Sequence, residues 1–567
     1  MFWLHLSLRK GRVEDSYASQ RVARKLRCPG AVLWALALCC LLYLFLRSGS
    51  SKLTLRLQRQ NRSLAQAATL SRQLRELSLG QFSHSTLSSA FRVASQSFSA
   101  SDYGPHSPDV GDSYTTEFKL LVDKASDVLS ALSSAKPVTS CAWDPSMPLD
   151  LHNNKKVLLA ANMHNNEDLL PHFTLQMLHL LASLPLGSAF LSVYESGSTD
   201  STGAWLEVLR DLMACIGTPH RIVIGGSLMR GEEQDRIDFL AQARNRALEP
   251  LWLSAAALSE TSAAAHGGLV KELAAWDLFT AHDTSSTMWH AQKIAFFNDV
   301  YFCAQDVFRL LQHKADMACG MDFDRPKIDG LPHPEQRQMF GWYLLRRYAV
   351  PRAIGRFLGR SGLITKHWRL DPDTQAAFQA KSTMGFYDTW VARDSDGNLF
   401  LKDPPYVTDP YSLQRIALGL PFPVKCCWNG LVVMSAAPFS QHNLRVRMHK
   451  EGECAASECS LVCNDLQRIG YNKIIVDPGV RQAYDAVDAK DLYNNVSISE
   501  LPFATWGEVQ VAEAINWSLV PHRPFTQCCG LPEGHNMIEF DKDCFWDNFM
   551  YPNYTAKRPT VRRDFHL

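Results

Sequence analysis

A few short stretches of this chain carry side chains able to work on a charged, hydroxyl-rich substrate. Tyr194-Glu195-Ser196-Gly197-Ser198-Thr199-Asp200 combines acids, hydroxyls and glycine in one turn after an apolar run. Glycine permits a tight reversal, and the hydroxyls can cap a following helix. Glu195 and Asp200 can accept hydrogen bonds from a base or a ribose. An ordinary strand-to-helix turn, capped by Asp200 or Ser201, is the competing reading. Phe296-Phe297-Asn298-Asp299-Val300 ends another apolar run on a carboxylate. A carboxylate there can hold a divalent cation against a diphosphate, and the cation offsets charge on the leaving group. Asp299 as a simple helix cap is the alternative. Arg244, in Ala243-Arg244-Asn245, is either a bidentate phosphate donor or the partner of a carboxylate on the rim of a sheet. Asn162 and His164, after the first apolar run, are polar groups suited to a donor pocket.

These residues need a frame that brings distant segments to one edge. Val157 to Ala161, Ala189 to Tyr194, Arg221 to Ile224 and Lys293 to Phe297 read as buried strands. Leu169 to Leu184, Gly203 to Met213 and Ile237 to Leu248 read as the helices between them. Strands alternating with helices predict an α/β fold: a mostly parallel sheet with helices on both faces. In such sheets ligands bind beyond the C-terminal ends of the strands, where Asn162, Glu195 and Asp299 fall. Further on, Leu461 to Tyr471 and Ile474 to Val476 read as helix then strand.

Seven segments, in this order, resemble a GT-A glycosyltransferase, and more narrowly the cryptococcal mannosyltransferase and capsule-associated glycosyltransferase family. They are the turn from Tyr194 to Asp200, Arg244-Asn245-Arg246-Ala247-Leu248, Phe297-Asn298-Asp299-Val300, Ala318-Cys319-Gly320-Met321-Asp322-Phe323, the stretch Phe386 to Asp394, Cys427-Trp428-Asn429-Gly430-Leu431-Val432-Val433, and Ser457-Glu458-Cys459-Ser460-Leu461. The resemblance covers about residues 155–485. It implies transfer of mannose from GDP-mannose to a glycan acceptor in α-1,3 linkage, with a divalent cation, commonly manganese. It also implies a type II membrane protein of the secretory pathway.

Residue by residue, the resemblance places Glu195, Ser196 and Asp200 at the donor, with Asn162, Arg244 and Asn298. Asp299 becomes the metal ligand, although Asn298-Asp299-Val300 has one carboxylate where the fold's Asp-x-Asp motif has two. Asp322-Phe323-Asp324 is a literal Asp-x-Asp string and a rival. Trp428, Asn429 and Gly430 match a loop closing over donor and acceptor, with Trp428 stacking on a sugar; a core tryptophan is the other reading. Glu458 matches an acid ahead of a helix. GDP-α-mannose yielding an α-mannoside is retention, so Glu458 orients the acceptor instead of deprotonating it. Asp388 would bind acceptor hydroxyls. A family member without activity, binding glycans or scaffolding a polysaccharide synthesis complex, is the alternative function.

The remaining sequence sets the compartment. The chain has 567 residues, 58 basic against 57 acidic, a net charge of +1, which argues against a nucleic-acid partner. The uncharged run Pro29 to Leu46 predicts one membrane-spanning helix, and the basic residues before it predict a cytosolic tail at 1–28. A stem follows at 47–140. Its leucines allow a short coiled coil and a homodimer, and the serine-rich stretch from Ser83 to Ser113 reads as a flexible spacer. The catalytic domain is expected at 141–485, lumenal and Golgi-like, with a cysteine-bearing appendage at 486–567. Eight of the 15 cysteines follow residue 425, predicting disulfides of unknown connectivity.

Overall fold

The computed structural model describes residues 58–79, 82–101, 115–135, 141, 144, 146–147, 156–185, 187–231, 234–252, 290–325, 384–493, 501–521, 523–530 and 544–550. The chain divides into two compact units, 1–62 and 63–567. Only residues 58–62 of the first are described, and everything below belongs to the second. The expected membrane span at 29–46 lies outside the described residues. Among those residues, no helix is long and apolar enough to cross a membrane.

Helical residues 63–78 and two further helices, α1 (His84–Ser101) and α2 (Thr116–Ala135), precede an alternating α/β series. The series runs β1 (Val157–Met163), α3 (Leu170–Ser183), β2 (Ala189–Ser196), α4 (Thr202–Ile216), β3 (His220–Gly226), α5 (Arg236–Leu248), β4 (Lys293–Phe297), α6 (Ala304–Gln312) and β5 (Met317–Asp324). Then come β6 (Gly385–Phe386), β7 (Arg393–Asp394), α7 (Pro410–Ala417), β8 (Phe422–Cys426), β9 (Leu431–Ser435), α8 (Ala437–Gln441), α9 (Glu458–Arg468) and β10 (Ile474–Ala483). Last are α10 (Ala486–Tyr493), α11 (Trp506–Val511) and the hairpin β11 (Phe525–Cys529) and β12 (Cys544–Asn548). The first four strands and the helices between them fall where their apolar runs predict.

The main sheet has the order β3-β2-β1-β4-β9-β5-β10-β8-β7, with β6 on β5. β3, β2, β1 and β4 pair in parallel, as do β5 and β10. β9 is inserted antiparallel between β4 and β5, so those two point the same way. The central sheet is thus mostly parallel, as the sequence predicts, with β9 running antiparallel at its centre. The insertion has a consequence for the site: the start of β9 lies beside the C-terminal end of β4 and the middle of β5. Every residue of β2 is buried, as is all but one of β1, which requires cover on both faces of the sheet. α3 packs with α1, α2, α4 and α6, while α5 packs with α9.

The stem departs from expectation. α1 runs through the predicted spacer and buries Leu87, Ala90, Phe91 and Ala94, a stripe at helical spacing that its serines conceal. Of the stem leucines that allow a coiled coil, Leu70, Leu74 and Leu77 belong to the chain's own core, and Arg75 bonds Asp211 of α4 at 2.9 Å. These three therefore lend no support to a homodimer.

Cysteine pairing joins Cys141–Cys303, Cys319–Cys427, Cys426–Cys463, Cys454–Cys528 and Cys529–Cys544. Of the described cysteines, Cys215 and Cys459 are free and buried. Two of the bonds fix the β11–β12 hairpin of the predicted appendage.

Candidate active site

Register decides which residues meet at the rim. Ala161 pairs with Phe297, and Met163 with Glu195. Asn298 and Asp299 follow directly on the C-terminal end of β4, which is separated from β2 and Glu195 by β1. On the other side Phe297 pairs with Leu431, so the turn Trp428-Asn429-Gly430 lies against Asn298, whose backbone N–H donates to Gly430 O at 2.8 Å. Beyond it Asp322 of β5 pairs with Gln482 of β10.

The turn is built from unusual backbone. Asn429 has φ 51° and Gly430 φ 76°. A side chain at Gly430 would bring its Cβ to 2.4 Å from Val300, so only glycine lets the turn sit this close to β4. The Cys319–Cys427 disulfide and the Asn429 amide, donating to Gly320 O at 2.7 Å, bind the turn to β5. Trp428 is 1% exposed, lies 5.4 Å from the Phe296 ring and donates to Asn298 Oδ1 at 3.2 Å. The core-tryptophan reading therefore describes it: its ring is covered and offers no face to a sugar. Asn429 is fully buried as well, so the turn organises the rim without presenting these side chains.

Arg244 is delivered by α5. Asp235 caps that helix by accepting from the backbone N–H of Ile237 and Asp238, and the Asn162 amide donates to Ala243 O at 2.7 Å. The Arg244 guanidinium lies over the Trp428 ring at 5.1 Å and meets Glu458 Oε1 at 3.2 Å. Glu458 opens α9, where Ser457 caps the helix and its hydroxyl donates to Glu458 Oε2 at 3.1 Å. Both members of this pair are buried. Burial disfavours the charge on Arg244, and Cys459, Glu458 and Asp299 offset it, so the group stays a cation.

Asp388 is half-buried at the centre. Its Oδ2 accepts the Asn429 backbone N–H at 3.2 Å, and its own N–H donates to Asp322 Oδ1 at 3.3 Å. Burial raises its pKa to about 6, with Glu458 adding to the effect against the Asn429 bond and Arg393. Asp322 is fully buried, and Tyr484 donates to its Oδ2 at 2.8 Å. Burial first and Asp388 second hold the Asp322 carboxyl well above the usual range. The rival Asp-x-Asp string thus begins with an interior residue, whereas Asp299 is exposed at the rim.

The acidic turn after β2 has a scaffolding task. Glu195 is buried, and its two oxygens accept from Ser198 N–H at 2.9 Å and Gly225 N–H at 2.6 Å. Asp200 accepts from Glu167 N–H at 3.1 Å and Thr202 N–H at 2.9 Å. His164 bonds Ser196 O through Nδ1 at 2.8 Å. Glu195 and Asp200 therefore lock the loops after β1, β2 and β3 into one wall, with Ser196 within it. Asn162 Oδ1, Arg244 Nε and both amide atoms of Gln482 are buried without a hydrogen-bond partner, which marks the neighbourhood as one that a ligand or water completes.

Among the described residues, no group of three or more His, Cys, Asp or Glu side chains could hold a metal. Asp299 with Asn298 instead gives one exposed carboxylate and one amide oxygen. That all-oxygen pair fits a hard cation completed by diphosphate and water. Asp322, singled out in the sequence only as part of a rival metal motif, is joined here by Tyr484, Tyr387 and Gln482, to which sequence reasoning assigns no role. Each depends on pairing between β5, β6 and β10.

The rim gathers a fixed arginine, interior carboxylates and one exposed aspartate, and the family match identifies the chain as a glycosyltransferase. The family described as Cryptococcal mannosyltransferase 1 matches residues 156–465, more than half the chain and every site residue above except Gln482 and Tyr484; the chain belongs to that family. It is 25% identical over 409 residues to the Alpha-1,3-mannosyltransferase CMT1 of Cryptococcus neoformans var. neoformans serotype D (strain JEC21 / ATCC MYA-565), covering 68% of this chain and 70% of that protein. The protein is a mannosyltransferase-type glycosyltransferase.

Proposed function

We propose that the protein transfers mannose from GDP-mannose to a glycan acceptor in α-1,3 linkage, on a GT-A-like scaffold. The observation that carries this is the convergence of Arg244–Glu458, Asp388 and Asn298–Asp299 on one rim, within the segment shared with the family. Asp299 and the Asn298 carbonyl would hold a divalent cation, manganese by preference, which when bound neutralises the donor diphosphate. Arg244, anchored by Glu458, adds a fixed positive charge facing Asp299. Glu458 is engaged by Arg244 and Ser457, which suits an orienting role in a retaining transfer better than proton abstraction. Asp388, whose Oδ2 accepts the Asn429 N–H, would orient an acceptor hydroxyl. The protein works in the secretory pathway, held by the predicted helix at 29–46 with its catalytic part in the Golgi lumen; five disulfides support an oxidising compartment.

Purified protein offered a panel of nucleotide sugars, with linkage analysis of the product, tests the reading. Consumption of GDP-mannose with an α-1,3-mannosyl product is expected. Preference for another nucleotide sugar, or a product of inverted configuration, would overturn it.

A further inference from the structure

Tyr387 stands out at the rim. It is 52% exposed, a large aromatic surface left open beside the catalytic candidates. Its backbone is not loose: Tyr387 N–H donates to Asp322 O at 3.0 Å, extending the β5–β6 pairing of Phe323 with Phe386. Its ring packs against Tyr484 at 4.6 Å and 50°. Tyr484 is in turn fastened to Asp322 at 2.8 Å. The exposed ring is thus backed by a fixed second ring and adjoins Asp388. A rigid aromatic face loses little conformational entropy on binding and joins an apolar body to a polar tip. The C–H faces of a pyranose ring suit such a surface, and the neighbouring carboxylates suit its hydroxyls.

The charge around the ring narrows the ligand. Asp322, Asp388, Asp324 and Asp299 all act on the Tyr387 phenol, which partial burial and these four groups push up to about 12. Against them stand Arg244, paired with Glu458; Arg393, spent on backbone carbonyls; and Lys402, whose stem lies along Gly385. Among the described residues no arginine beside the ring is left uncommitted, so a second negative charge placed over Tyr387 would meet repulsion.

Resting on the transferase reading, we propose that Tyr387, backed by Tyr484 and flanked by Asp388, is the platform for the acceptor sugar, and that it takes an uncharged pyranoside and rejects a uronic acid at that position. The Trp428 ring, covered by Arg244 and Phe296, cannot serve this purpose.

The test is calorimetric binding of a neutral mannosyl oligosaccharide to purified protein without donor, so it does not depend on catalysis. Tyr387→Ala should weaken binding about tenfold, equivalent to about 1.4 kcal/mol, Tyr387→Leu nearly as much, and Tyr387→Phe less than twofold. An oligosaccharide with a terminal uronic acid should bind wild type about tenfold more weakly than its neutral counterpart. Equal binding by Tyr387→Ala and Tyr387→Leu, or equal binding of the two oligosaccharides, would overturn the proposal. Failure of the nucleotide-sugar panel beside intact, Tyr387-dependent glycan binding would count against the transferase reading alone.

Discussion

Asp388→Asn should make the protein more stable at neutral pH while reducing transfer. In the folded protein burial raises the Asp388 pKa from 3.8 to about 6. A carboxyl raised in this way is fully tolerated below the unfolded value, and stability falls as pH climbs from about 4 through about 6. The shift of about two units sets a ceiling near 3 kcal/mol. Partial exposure and the proton relationship with Asp322 reduce this, leaving about 1–2 kcal/mol for the neutral amide to recover. Asparagine keeps an oxygen for the Asn429 N–H, so the turn should stay in place. Urea denaturation of both proteins at pH 4 and pH 7.5 reads the effect: midpoints converging at pH 4 and separating at pH 7.5, with the variant higher. A variant less stable at pH 7.5, or a gap independent of pH, would refute the reasoning. Wild-type transfer by the variant would separately remove Asp388 from the site.

Two other substitutions probe the frame. Arg244→Met leaves the Glu458 carboxylate buried beside Cys459 without its cation, and should cost about 3–5 kcal/mol in urea denaturation together with most of the transfer; a loss below 1 kcal/mol would show that the pair is not held as described. Replacing Cys319 and Cys427 together with serine opens a link across 108 residues and removes one of the turn's two ties to β5, so a loss of about 2–5 kcal/mol is expected, with weaker transfer under non-reducing conditions. Unchanged melting of that double variant would contradict the role given to the link.

The parallel half of the sheet was legible because β1, β2, β3 and β4 are short apolar runs bounded by turns, and a strand buried on both faces needs that composition. Asp299 could be placed at the rim for the same reason. β5 was harder. Met317-Ala318-Cys319-Gly320 has small residues and no strong strand signature, so local pattern does not place Asp322 and Asp324 on a strand. The approach of Asp322 to Asp388 spans 66 residues, and that of Tyr484 to Asp322 spans 162. Neither spacing appears in local pattern; both require the pairing of β5 with β6 and β10. Arg244 was expected to find either a phosphate or a rim carboxylate, and Glu458 was singled out separately, but their meeting follows from α5 packing on α9. Trp428 misled because an aromatic in a Gly-containing turn looks like a sugar platform, whereas its ring is packed with Phe296 and Arg244. The helix α1 is concealed by its many serines, of which Ser85 and Ser89 are exposed.

The central claim, that the rim around Asp299 performs the transfer, is tested most directly by the rate of mannosyl transfer from GDP-mannose in Asp299→Ala beside wild type, with and without manganese after EDTA treatment. Asp299 is exposed, so the substitution should change stability by no more than about 0.5 kcal/mol. The account predicts that wild type loses activity in EDTA and regains it with manganese, and that the variant, equally folded, transfers nothing in either condition. Transfer by Asp299→Ala at the wild-type rate would contradict it.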